Sequence, residues 1–158
     1  VALGLAWGRM GCFLAGCCFG TVCDKPWAAH FPGFSPASEA QFRARLLASE
    51  SLPSLPVHPT QLYEALGAFA IAAVGYFVIA PRKRYDGQGF VFFLVSYSVL
   101  RTVLELLRND ERGGLLGLST SQLISLAIIL PMPWIARRLR ARTVAAMTVD
   151  PSPSRASA

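Results

Sequence analysis

Charge is scarce in this sequence, and negative charge is scarcest. Asp, Glu, Lys and Arg together make 15% of 158 residues, with nine acids against fifteen bases. A soluble domain carries about 25% charged residues, so an ordinary water-facing surface is excluded. Histidine occurs only twice, and the four cysteines, Cys12, Cys17, Cys18 and Cys23, follow C-x4-CC-x4-C without a C-x2-C pair. That spacing matches neither a zinc pattern nor a ferredoxin run, and no cofactor is expected from it. The chain also opens on Val1 inside an apolar segment, with no initiator Met, basic leader or cleavage site. It reads as the later part of a longer chain.

What is abundant is apolar: 53% hydrophobic residues and thirteen glycines, with positive mean hydropathy. Runs long enough to cross a hydrocarbon core of about 20 residues are found at 1–20, 59–80, 87–107 and 113–136. The expected fold is therefore all-α, a polytopic integral membrane helical bundle of about four spans. Ser119 and Gln122 have the spacing of a capping box at the start of the last run, and Pro131 and Pro133 should kink or end it. Pro59 suits the first turn of the second.

Eight of the fifteen bases lie in "PRKR" at 81–84 and in the tail from Arg137 onward. Such clusters beside apolar runs fit cytoplasmic loops better than a phosphate-tracking surface, so no nucleic-acid partner is expected. Residues 21–57 then form an external loop, with a short interfacial helix in "SEAQFRARLLA" on which Phe42 and Leu46 share a face. Trp27 and Phe31 would anchor the loop around His30 at the interface. Residues 143–158, rich in Pro and Ser toward the end, are expected to be a disordered cytoplasmic tail.

The embedded charges now need a reason, since each costs about 2.5 to 3.5 kcal/mol at mid-bilayer. Arg9, Glu64, Arg101, Glu105 and Arg108 all fall in the same half of the membrane, with Tyr97, Arg101, Glu105 and Arg108 on one helical stripe. Mutual neutralisation, Arg101 with Glu105 and Glu105 with Arg108, is one reading. The other is a positive pocket awaiting an anion, and the anion at that depth is a lipid phosphate, which arginine binds bidentately. The candidate catalytic residues are Arg9, Arg101 and His58. The candidate substrate contacts are Arg9, Arg101, Glu105, Arg108, Tyr63, Glu64 and Gln122. His58, in "HPTQLYEAL", could act as a base or simply bond at a helix start. The cysteines could pack with Gly11, Gly16 and Gly20 against another helix, form a disulfide through Cys23, or, least expected, bind a metal.

"GRMGCFLAGCCFG", "HPTQLYE", "LRTVLELLR" and "GLSTSQLIS", in this order, resemble prolipoprotein diacylglyceryl transferase, a polytopic enzyme of the bacterial inner membrane. The resemblance covers most of residues 7–130. It implies transfer of the diacylglyceryl group from phosphatidylglycerol to the thiol of a lipobox cysteine in a prolipoprotein, with Arg9 and Arg101 matching functional arginines. It further implies a site toward the outer leaflet, a cytoplasmic C-terminus, and a transferase domain over 1–142 that is the C-terminal part of a longer one. Against the family signature G-R-x-G-N-F-x-N-G-E-x-x-G, Cys12 and Ala15 replace two asparagines and Cys17 replaces the glutamate. Family members also carry upstream spans with a His-Gly-Gly motif. Two other functions stay open: a membrane thiol oxidoreductase built on the four cysteines, and a noncatalytic phospholipid-binding protein.

Overall fold

The computed structural model describes residues 1–105, 107 and 120–149. Among these residues the chain is helical without strands, apart from isolated bridges pairing Val57 with Val22 and Ala29.

Helix α1, Ala2–Leu14, occupies the first apolar run but stops six residues short of Gly20. The cause lies in the backbone. Gly16 (φ +67°) and Cys18 (φ 61°) both take left-handed conformations, which a helix cannot absorb, and the chain turns back. The expectation of one helix to Gly20 is therefore corrected. The returning strand of chain docks on the start of the next long helix, with Gly20 N–H donating to the His58 carbonyl (2.9 Å) and His58 N–H to that of Thr21 (3.0 Å). A Cβ on Gly20 would sit 2.8 Å from both His58 Cβ and Thr60 Cγ2, so this joint requires glycine.

Residues 21–57 make a folded unit with its own small core. Phe31, Ala37 and Val57 are buried together, and the Phe13 ring meets Phe31 edge-on at 5.6 Å. Phe31 is thus a core residue and not the interfacial anchor expected of it. Helix α2, Pro36–Arg43, begins on Ser35, whose side chain accepts from Ser38 N–H, with Pro36 in the first turn. It ends before Leu46, because Arg45 (φ 60°) is left-handed, so Phe42 and Leu46 do not share a helical face. Buried Ser38 donates toward the carbonyls of Glu50 (2.6 Å) and Leu52 (2.7 Å), and buried Gln41 accepts from Leu55 N–H (2.7 Å). These side chains hold the loop where strands are absent.

Helix α3, Thr60–Val74, begins with Pro59 as N-cap and runs into a π-helical segment, Gly75–Ile79. Together they form 20 residues long and apolar enough to cross a membrane, the one such helix among the described residues. Helix α4, Gln88–Glu105, follows the basic loop; α5, Thr120–Ile129, and α6, Met132–Val149, are divided at Pro131, as the prolines predict. Helix α6 continues through residues 143–149, which corrects the expected start of the tail. Ala145, Ala146 and Met147 in this stretch favour helix, against the β-branched Thr143, Val144, Thr148 and Val149. Helix α1 packs along α3, α4 lies between α3 and α5, and α6 touches α4 and α5. Small buried residues, Ala6 on α1 and Ala65 and Ala68 on α3, let the backbones approach.

The polarity of this bundle is inverted. Its interior holds Thr60, Gln61, Glu64, Ser98 and Ser125, while Leu3, Trp7, Leu66, Phe77, Phe90 and Ile124 are exposed.

Candidate functional site

The centre of that interior is Glu64, in the second turn of α3 and 3% exposed. One carboxylate oxygen, Oε1, accepts from the Tyr97 hydroxyl of α4 at 2.7 Å. The other meets Arg9 Nε of α1 at 3.0 Å and Arg101 Nη1 of α4 at 3.3 Å. Three helices are therefore fastened to a single carboxylate. Arg101 then reaches onward through Nη2 to Glu105 Oε2 (3.4 Å) and Ser121 Oγ of α5 (3.0 Å), drawing in a fourth. Tyr97, Arg101 and Glu105 share a face because they are spaced by four residues on α4.

Among the described residues this cluster is electrically balanced, two arginines against two carboxylates. The expected excess of positive charge counted Arg108, which, like Ser119, lies outside the described residues. Tyr97, Arg101 and Ser121 face a cavity of about 250 Å³ between α4 and α5, completed by Ser98, Ser125, Ile124 and Ile128. One side is a polar wall with a guanidinium, the other two isoleucines. Such a cavity suits a molecule with a charged head and a hydrocarbon stem.

A second polar group lies at the start of α3. His58 is half-buried, with Nδ1 3.3 Å from the Tyr63 hydroxyl, which also accepts from Trp27 Nε1 at 2.8 Å. Whether Nδ1 or the Tyr63 hydroxyl donates depends on the imidazole tautomer. No described contact joins His58 to Arg9 or Arg101. Next to it, Thr60 and Gln61 donate to the carbonyls of Cys18 (3.0 Å) and Cys17 (2.6 Å), fastening the turn after α1. Gln61 is 1% exposed, and its Oε1 has no hydrogen-bond partner among the described residues. A buried acceptor without a donor is costly.

Of the residues named from sequence, the structure joins Arg9, Glu64, Arg101 and Glu105, sets His58 with Tyr63 apart from them, and places Gln122 on α5 beside Ser121. Gln61, Ser98, Ser121 and Ser125 were missed. The available signal was helical spacing: Gln61 precedes Glu64 by three residues, and Ser98 precedes Arg101 by three. The cysteines are all free; Cys12, Cys17 and Cys18 come together, and Cys23 is not among that group.

Fold and site define a helical protein whose ionic interior ties four helices together beside a cavity between α4 and α5. The family model for prolipoprotein diacylglyceryl transferase matches residues 1–136, and the chain belongs to that family. It is 35% identical over 134 residues to the phosphatidylglycerol–prolipoprotein diacylglyceryl transferase of Clostridium tetani, covering 82% of this chain and 46% of that protein. A Clostridium perfringens protein of the same name, with the suffix 2, is 33% identical over 82% of this chain and 45% of its own length. The Burkholderia cenocepacia relative, also so named, is 38% identical over 92% of this chain and 55% of its own. The chain thus spans about half the length of these curated relatives. No solved structure matches it.

Proposed function

We propose that the protein carries out, as part of a diacylglyceryl transferase of the bacterial inner membrane, the transfer of diacylglyceryl from phosphatidylglycerol to a lipobox cysteine thiol of a prolipoprotein. The observation that carries this reading is the convergence of Arg9 and Arg101, from helices remote in sequence, on Glu64 beside the cavity under Tyr97 and Ser121. In the reaction the substrate thiol loses its proton, sulfur attacks a glycerol carbon, the carbon–oxygen bond breaks, and glycerol phosphate leaves with the electron pair. Charge grows on the departing phosphate, and a fixed guanidinium stabilises it most in the transition state. Glu64 and Glu105 hold the arginines in place; Tyr63, Gln122 and Arg108 complete the proposed substrate contacts. His58 is the candidate base.

The inverted polarity supports a membrane setting, because exposed leucine, tryptophan and phenylalanine around a buried carboxylate suit lipid rather than water. In this reading residues 1–142 are the embedded domain, counted as about four spans in a multi-pass protein. The 21–57 unit lies outside, Arg82, Lys83, Arg84 and the arginines of α6 face the cytoplasm, and the site opens toward the outer leaflet.

The test is transfer of labelled diacylglyceryl from phosphatidylglycerol to a lipobox peptide in membranes holding the protein. Label on the cysteine should fall by roughly 100-fold or more in Arg9→Ala and in Arg101→Ala, the scale of losing one transition-state donor. Label that persists in both variants, or phosphatidylglycerol binding without release of glycerol phosphate in the parent, would sink the reading.

A further inference from the structure

The turn after α1 brings the thiols of the adjacent Cys17 and Cys18 back to that of Cys12, five residues earlier. The Sγ atoms of Cys12, Cys17 and Cys18 all lie within 4.8 Å of one another, and each residue is partly buried. The left-handed Gly16 and Cys18 fold residues 17 and 18 back over the last turn of α1, where Cys17 N–H donates to the Cys12 carbonyl at 3.1 Å. Thr60 and Gln61 clamp the same turn through the carbonyls of Cys18 and Cys17. The arrangement is thus held from two sides before any ligand arrives.

We propose that Cys12, Cys17 and Cys18 form a three-thiolate site for a thiophilic divalent cation of the zinc class. A zinc–sulfur bond is about 2.3 Å, which sets sulfurs about 3.8 Å apart in a tetrahedral shell. The three thiols therefore need to close by about 1 Å at most, within the reach of side-chain rotation. Each thiol gives its proton to solvent as its sulfur–metal bond forms, and no electrons change hands. Three protein ligands leave the fourth position of the shell to water or an incoming ligand, which the partial exposure of the cysteines permits. The site stands independently of the transfer reaction proposed above.

The experiment uses the whole chain, reduced and in detergent, with zinc as the probe. One zinc per chain is expected, with protection of Cys12, Cys17 and Cys18, but not Cys23, from maleimide alkylation read residue by residue by mass spectrometry. Because that readout needs no substitution, it holds even where a variant misfolds. Cys12→Ser and Cys18→Ser should each abolish stoichiometric zinc, and Cys23→Ser should leave it unchanged. Substoichiometric zinc, protection that fails to distinguish Cys23, or a disulfide between two of the three that persists under zinc would overturn the proposal.

Discussion

At the scale of single residues, Glu64 governs the interior. It is the shared acceptor of Arg9, Arg101 and Tyr97, so replacing it leaves cations without their counter-ion in a buried place. Glu64→Gln should cost about 3 to 5 kcal/mol of stability, the range for removing one partner of a buried pair. Unfolding in detergent checks this, and label transfer should fall alongside. Had the carboxylate been dispensable, the variant would unfold with the parent. Arg9, Arg101 and Glu105, which share this cluster, stood out in the sequence because a charge inside an apolar run is conspicuous at once. The central role of Glu64 did not, since the sequence pairs neighbours on one helix, whereas Glu64 pairs across three. Its place in the same half of the membrane as Arg9 was the hint.

Among elements, the joint between α1 and α3 decides whether the cluster assembles. Gly20 lies under His58 and Thr60 with no room for a Cβ, whereas a Cβ on Gly11 meets nothing within 4 Å. Gly20→Ala should therefore lower stability by about 1 to 3 kcal/mol through overpacking, and Gly11→Ala should leave it level or slightly raised. Thermal melts of the two variants side by side test the contrast; equal melts would remove the joint from the account. The same joint shows where sequence reading stops. Apolar runs located the long helices and the prolines the break at Pro131, because those signals are local to the chain. The end of α1 at Leu14 was hidden, since Cys18 in a left-handed conformation is a choice made by tertiary contacts with Thr60 and Gln61. The clustering of the cysteines follows from that turn and was hidden with it.

For the whole molecule, the proposed chemistry depends on orientation in the membrane. The chain has two lysines, Lys25 in the proposed external unit and Lys83 in the basic loop, and both are exposed. A membrane-impermeant amine reagent applied to spheroplasts should modify Lys25 alone, and Lys83 only after the membrane is opened. Modification of Lys83 in sealed cells would reverse the topology. The pairing of charges also bears on how such a protein is made. Of the helices that share the cluster, synthesis delivers α1 before α3, so Arg9 lacks Glu64 until the folded 21–57 unit has emerged and α3 arrives. Helix α4 comes last of the three, already carrying Glu105 one turn beyond Arg101. In the membrane setting proposed above, α1 is the segment that depends on a later one, so biogenesis must shelter Arg9 for the time the ribosome takes to reach Glu64.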